Sequence, residues 1–343
     1  MAKFTLIILV MFGILNLFGR KAKSDKELLV VFYNVENLFD YKDDTNSQDD
    51  DYQPEGKLRW DEKRFLKKIN DLTKVFTSID ITSLPAIIGL CEIENENVLE
   101  ELISKTALKD GNYGIIHKDS PDERGVDVGL LYRKDLISCE KFEHIEVIFP
   151  SDINDRTRDI LYFCGVAHGE KIHVIVNHWS SRREGTEISE PKRMHQASLV
   201  RKKVNEIQAL DPTAKIIVTG DFNDMPSDKS ISQILKACDK KEGNPKEELY
   251  NLMSDAAQRG MGTINHKGAW MMFDQMIVSY NLINAKKGYF CEFNGGNIFN
   301  PKWLMYKNPK TGDYTPNKTY GGDSYYGGYS DHLPIYLRLK YKK

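Results

Sequence analysis

Asp221 and Asn223 are the first residues whose types and spacing point to chemistry. They close the run Ile-Ile-Val-Thr-Gly-Asp-Phe-Asn-Asp-Met-Pro at residues 216 to 226. The β-branched residues of that run read as a buried strand, and Gly220 marks its end. Two residues apart on an extended segment, an acidic oxygen and an amide donor face one side, while Phe222 faces the core. Alone, the pair has a plainer reading, because Asp and Asn after a strand are common turn formers. Its weight comes from recurrence.

The same pattern returns along the chain. The strand Leu28 to Tyr33 stops at Asn34-Val35-Glu36-Asn37, and the strand Ala86 to Cys91 runs into Glu92-Ile93-Glu94-Asn95. A hairpin of Arg158 to His168 and Lys171 to Val176 ends at Asn177-His178-Trp179-Ser180-Ser181. Asp274 lies inside the apolar strand Ala269 to Ser279, a costly place for an acid without a partner. Asp331 and His332 precede the last strand, Ile335 to Leu339. In a sheet protein, strand ends far apart in sequence converge on one rim, where such folds place ligands. Asn34, Glu36, Glu92, Asn177, His178, Asp221, Asn223, Asp274, Asp331 and His332 would then share a site. Carboxylate and amide oxygens without cysteine suit a hard cation, Mg²⁺ or Mn²⁺.

The elements that must position these groups are legible in outline. Phe65, Leu66, Ile69, Leu72, Val75, Phe76 and Ile79 recur at helical spacing over Asp61 to Ile79. Val98 to Leu108, Glu190 to Leu210 and Ser230 to Leu235 also read as helices, and Gly125 to Tyr132 as a strand. Phe293 to Tyr329 is rich in Gly, Asn, Pro and Tyr, a long loop expected on the substrate side. Asp40 to Asp51 lacks EF-hand spacing and reads as a solvated loop. No repeat or linker divides the chain, so residues 25–343 are expected to form a single domain.

Composition narrows the class. The 343 residues are 41% hydrophobic, enough for a substantial core, and the net charge of -2 argues against a protein that grips polyanions through overall basicity. The dense positive cluster is Lys192, Arg193, Arg201, Lys202 and Lys203 on the long helix, with Arg182 and Arg183 just before it; such clusters are as often a solvated helix face. Five widely spaced cysteines without a C-x-x-C pair argue against zinc or iron-sulfur chemistry and read as core. Lys3 followed by the apolar run Phe4 to Phe18 predicts a signal peptide over residues 1–24, hence a secreted or periplasmic protein. An uncleaved N-terminal anchor is the alternative.

Taken in order, the motifs resemble those of the endonuclease/exonuclease/phosphatase superfamily, the deoxyribonuclease-like phosphoesterases. They are Tyr-Asn-Val-Glu at 33 to 36, Cys-Glu-Ile at 91 to 93, Arg-Gly-Val-Asp-Val-Gly-Leu-Leu-Tyr at 124 to 132 and Asn-His-Trp-Ser-Ser-Arg at 177 to 182. Gly-Asp-Phe-Asn at 220 to 223, Phe-Asp-Gln at 273 to 275 and Ser-Asp-His-Leu-Pro at 330 to 334 complete them. The resemblance spans Leu28 to Leu339 and implies an α/β (α+β) four-layer sandwich, two mixed β-sheets packed face to face with helices outside. It implies metal-assisted hydrolysis of a phosphate ester, with Glu92 as main metal ligand, supported by Glu36 and Asn34, and Asp331 nearby. Asp221 would orient or deprotonate the attacking water. Asn223 and His178 would donate to phosphoryl oxygens, and His332, held by Asp274, would act on the same phosphate. Arg124, Asn177, Arg182 and Arg183 fall on the substrate side.

The leading functional expectation is a secreted or periplasmic nuclease acting on DNA or RNA as a monomer, without a stable membrane partner. Asn-His-Trp-Ser-Ser-Arg-Arg followed by Glu190-Pro191-Lys192-Arg193 resembles predicted extracellular nucleases. The alternative is a phosphoesterase on a lipid headgroup, as in sphingomyelinases, or on an inositol phosphate. Asp224 stands where inositol phosphatases carry a basic residue after Gly-Asp-Phe-Asn, which leans towards the nuclease. A catalytically inactive binding module would lack some of the acids, and none of the main positions is missing.

Overall fold

The computed structural model describes residues 27–44, 48–239 and 249–343. The expected signal peptide lies outside them. Two helical crossovers set the architecture. β1 (Glu27–Leu38) and β2 (Ile87–Ile93) pair in parallel, and α1 (Glu62–Ile79) carries the chain between them. β7 (Glu170–His178) and β8 (Lys215–Asp221) repeat the arrangement through α3 (Thr186–Leu210). A parallel pair needs such a crossover, and the helix then covers one face of its sheet.

The first sheet adds β3 (Tyr113–Ile116) and β4 (Asp127–Arg133) beyond β2, and the antiparallel strand Ile335–Lys342 on the other side of β1. The second adds β5 (Ser138–Ile145) and β6 (Ile160–Ala167) beyond β7, and the antiparallel strand Asp274–Ser279 beside β8. Alternation along each strand sorts the side chains into layers. On β1, Leu28, Val30 and Phe32 join Val174, Val176, Ile217 and Met276 in the core between the sheets. Leu29, Val31 and Tyr33 pack instead with Phe65, Ile69, Leu72 and Phe76 of α1. Ile216 and Val218 of β8 pack with Val200 and Val204 of α3. Each fully buried large apolar side chain contributes about 2 kcal/mol. The result is a four-layer sandwich of two mixed sheets with flanking helices, as the resemblance implies.

Local chemistry explains the boundaries. Asp61 caps α1, its side chain accepting from Arg64 N–H at 2.9 Å. The helix expected from about Glu190 begins four residues earlier, at Thr186, so that Pro191 lies inside it. The expected strand Ala269 to Ser279 is two elements. Ala269–Met271 closes a hairpin with Ile264–His266, and Met272 and Phe273 turn the chain into the sheet strand. The loop expected over Phe293 to Tyr329 contains several two- and three-residue strand pairings. Asp40 and Asp49 in the acidic stretch are buried rather than solvated, because Asp40 N–H donates to Glu94 Oε2 at 2.7 Å. Among the described residues no helix is long and apolar enough to cross a membrane.

Candidate active site

The parallel pairs deliver their polar strand ends to one rim. In β8 a side chain at Gly220 would stand 2.3 Å from the Asn177 carbonyl oxygen, so glycine is what lets the ends of β7 and β8 meet. His178 and Asp221 thereby become register partners. Asp221 is also the cross-strand partner of Asp274. In the other sheet the ladder breaks after Asn34 on β1 and after Cys91 on β2. Glu36, Asn37, Glu92 and Asn223 all adopt positive φ, near 50 to 60°, a conformation that non-glycine residues keep only where the surroundings enforce it.

A cleft of about 520 Å³ opens at this rim. It is lined by Glu92, Arg124, His178, Asp221, Asn223, Asp331 and His332; Arg182 and the exposed Arg183 and Thr186 stand at its mouth, and His266, Met271 and Phe273 complete the lining. Asn34 joins the two sheets by donating to Asp221 Oδ2 at 3.1 Å. Asp221 Oδ1 accepts Asn223 N–H at 3.0 Å. One amide N–H of Asn223 goes to the Trp179 carbonyl at 3.0 Å, leaving the other for the cleft. His332 Nδ1 pairs with Asp274 Oδ2 at 2.6 Å, and its Nε2 stands 3.7 Å from Asp221 Oδ2. Ser330 fixes that segment, accepting His332 N–H and donating to the Asn34 carbonyl at 2.7 Å.

The acids differ in charge state. Burial would push the Glu92 carboxyl up, but Arg124 at 3.6 Å, His332 and Arg158 together hold it below the usual range. Burial pushes Asp221 up to about 6 against the pull of His332. It likewise raises Asp331, opposed by His332. For His332, burial lowers the basicity, yet Asp274 and Asp221 outweigh it and hold the imidazolium well above the ordinary value. His178 moves the other way: burial, then Arg158 and Arg124, hold it well below, so the ring is neutral. Its Nδ1 has no partner, and its Nε2 lies 3.9 Å from Glu92 and 3.8 Å from Asp221.

The donor set fits a hard divalent cation. Asp331 Oδ1 is buried without a hydrogen-bond partner, and Glu92, lining the same cleft, is held ionised, so two carboxylates are available as oxygen ligands. Ligand atoms of Asp221, Asp274 and His332 also lie within 4.8 Å of one another. There, however, the short His332 to Asp274 bond commits the imidazole to its carboxylate, which suits proton handling better than ligation.

Three expected site residues are placed differently. Glu36 accepts the Thr319 and Tyr320 N–H groups at 2.6 and 3.1 Å, away from the cleft lining; burial pushes its carboxyl up to about 7. Asn177 is fully buried, donating to the Ile175 and Thr219 carbonyls and accepting Trp179 Nε1–H, so it braces the strand ends instead of meeting substrate. Arg182 reaches the mouth, but its guanidinium donates inward to the Asn223 carbonyl and to Asp224 and Asp228. Three of the five basic residues of the α3 cluster are also paired with acids, while Arg201 bonds Asn205 and Gln208 and Lys202 is exposed. Arg193 pairs with Asp224, Lys192 with Asp155 and Glu184, and Lys203 with Glu143 and Glu206. Arg183 is exposed and has no such partner among the described residues.

Sequence reading missed several contributors. Arg158 is buried, bonds Asp122 and the Trp179 carbonyl, and adds to burial in lowering His178 and to Arg124 and His332 in lowering Glu92. His266 and Met271 of the hairpin, and Phe273 just beyond it, also line the cleft; the break at Met272 hides that hairpin from a reading of the sequence.

Comparison with known proteins agrees with this geometry. The model of the Endonuclease/Exonuclease/phosphatase family matches residues 29–341. A search of curated proteins finds no match. Among solved structures, Danio rerio TDP2 complexed with a single-strand DNA product is 15% identical, covering 92% of this chain and 99% of its own at a TM-score of 0.54. A Bacteroides thetaiotaomicron endonuclease/exonuclease/phosphatase family protein is 16% identical, covering 92% and 95% at 0.56. A mannosyl-6-phosphatase of the same species is 15% identical, covering 92% and 100% at 0.55. At such identities these likenesses bear on the fold, and the family match bears on the chemistry. The chain belongs to the Endonuclease/Exonuclease/phosphatase family, whose members are metal-dependent phosphoesterases.

Proposed function

We propose that this protein is a secreted or periplasmic nuclease, hydrolysing phosphodiester bonds of DNA or RNA with Mg²⁺ or Mn²⁺. The observation that carries the chemistry is the convergence of Glu92, His178, Asp221, Asn223, Asp331 and His332 on one cleft from both sheets. Glu92 and Asp331, with Asn34 behind them, would hold the cation, which neutralises phosphate charge when bound. Glu36 acts from outside the cleft in this reading, by fixing the loop that leads to Asp331. Asp221, raised towards neutrality, accepts the proton of the attacking water. Neutral His178 and the free amide N–H of Asn223 donate to phosphoryl oxygens as charge builds. The His332 imidazolium, oriented by Asp274, supplies a further donor at the same phosphate.

Nucleic acid as substrate is supported by the unpaired Arg183 at the mouth, with Arg124 deeper in the cleft. Export is supported by the apolar run after Lys3; a mature N-terminus between Gly19 and Asp25, read by sequencing protein from the envelope or medium, is the expected result. A small phosphate ester is the second reading, favoured by the acid pairing of Lys192, Arg193 and Lys203 on α3, which leaves no long track for a polyanion. Purified protein assayed on plasmid DNA, RNA, sphingomyelin, inositol phosphates and sugar phosphates, with and without Mg²⁺, tests both. Metal-dependent cleavage of nucleic acid is the expected result; turnover confined to the small esters rejects the nuclease.

A further inference from the structure

Asn223 holds a left-handed backbone conformation, φ 50°, which asparagine adopts more readily than other side chains, and its carbonyl is tied down from outside the turn. Arg182 Nε donates to the Asn223 carbonyl at 2.6 Å. Its NH2 group donates to Asp224 Oδ1 at 2.6 Å and to Asp228, and the guanidinium lies over the Phe273 ring, 4.9 Å from its centroid. Asp224 is buried and also meets Arg193 at 2.7 Å and Ser230 Oγ at 2.5 Å. Asp228 Oδ2 accepts Met225 N–H at 2.7 Å. Gln275 Nε2, next to Asp274, donates to the Asp224 carbonyl at 2.6 Å. Two arginines and two aspartates thus balance in one cluster that ties together the segment after β7, the turn after β8 and the strand carrying Asp274.

We infer that Arg182 is a positioning residue, holding Asn223 and the Phe273–Asp274 corner in the arrangement the cleft requires. The planar fork serves this task because it reaches a carbonyl and two carboxylates at once, which an ammonium at the same site does not. Turning it towards a substrate phosphate would break all three bonds and leave Asp224 and Asp228 undercompensated. The inference rests on the reading of Asn223 as a phosphoryl donor.

A double-mutant cycle tests it, with Arg182→Ala, Arg182→Lys, Asn223→Ala and the double variant assayed on bis(4-nitrophenyl) phosphate with Mg²⁺. Amide exchange of the segment 221–226 is followed by mass spectrometry in parallel. Arg182→Ala should lower kcat by roughly tenfold to a hundredfold with KM unchanged, the scale of a small misplacement of a catalytic group. Its loss should be clearly smaller in the Asn223→Ala background than in the wild type, the remainder reporting the Phe273–Asp274 corner. Exchange over 221–226 should quicken, and Arg182→Lys should restore little of either. A raised KM with kcat intact, additive losses, or unchanged exchange would each overturn the inference. If Asn223→Ala alone keeps wild-type turnover, the reading of Asn223 fails instead, and the exchange data still decide whether Arg182 holds the turn.

Discussion

The two parallel strand pairs are built alike and end differently. β1 and β2 close on Asn34, Glu36 and Glu92, where left-handed residues break the ladder and Arg124 keeps Glu92 charged. β7 and β8 close on His178, Asp221 and Asn223, where His178 is neutral and Asp221 is pushed up to about 6. At the cleft, the same strand–helix–strand frame therefore presents Glu92 as a fixed negative charge from one sheet, with Glu36 raised to about 7 outside the lining, and from the other sheet groups poised to exchange protons. A hydrogen bond from Asn34 to Asp221 joins them, and His178 Nε2 stands 3.9 Å from Glu92 across the same gap. Under the proposed function the two halves would take separate tasks: cation binding in the first, handling of water and phosphoryl oxygens in the second.

The strongest way to break this division is to remove one charge from each half and vary the metal. Glu92→Gln keeps the side-chain volume but loses the charge that would hold the cation. Turnover should drop by about two orders of magnitude or more, and excess Mg²⁺ should restore part of it. Asp221→Asn should lose as much and show no rescue, because its acid is needed in the chemical step at any metal concentration. Rates measured against Mg²⁺ concentration for both variants separate the roles. Equal rescue of the two would collapse the distinction, and near wild-type turnover of Glu92→Gln would remove the site itself.

A smaller effect sharpens the picture at the mouth, where the second half meets substrate. Arg183→Ala should raise KM several-fold on nucleic acid and reduce the slope of log KM against log salt by about 1, one phosphate contact fewer. An unchanged slope would favour the small-ester reading. Arg182→Ala should leave that slope alone, since its charge is spent inside the protein.

How far the sequence reveals these halves depends on whether a residue's partners are local. Strand ends such as Asp221, Glu92 and His178 announce themselves because an apolar run stops at a polar residue, and that pattern survives folding. What Asn177 and Glu36 do is invisible in the same pattern. Each occupies a strand end of the right parity, yet Asn177 is tied, besides its neighbours Ile175 and Trp179, to the Thr219 carbonyl 42 residues away, and Glu36 to the Thr319 and Tyr320 N–H groups up to 284 residues away. The same holds for the basic face of α3, whose helical spacing is local while its neutralising acids, Glu143, Asp155 and Asp224, come from elsewhere. The break at Met272 and Phe273 was hidden for the opposite reason. Both residues are apolar and continue the strand's composition, and only the Ile264–Met271 hairpin shows where the chain turns.

The subtlest test reads the two halves through stability in metal-free protein. Asp221 has a folded value of about 6 against an ordinary 3.8, so the unfolded chain releases its proton first as pH rises. Its contribution is fully present below about pH 4 and lost as pH passes 6. Asp221→Asn should therefore raise Tm at pH 8 by about 2 °C, with the gain vanishing near pH 4. Glu92 is shifted the other way, so its charge stabilises above its ordinary value of 4.5 and that contribution fades as pH falls below it. Glu92→Gln should lower Tm at pH 8 by a similar or smaller amount, with the loss shrinking in acid. Melting curves with EDTA from pH 4 to 8 check both signs. Opposite shifts at pH 8 would show that one half stores an unfavourable charge for chemistry while the other holds a compensated one for binding. Shifts of the same sign would mean that both acids feel one common environment, and the division of labour between the strand pairs would have to be abandoned.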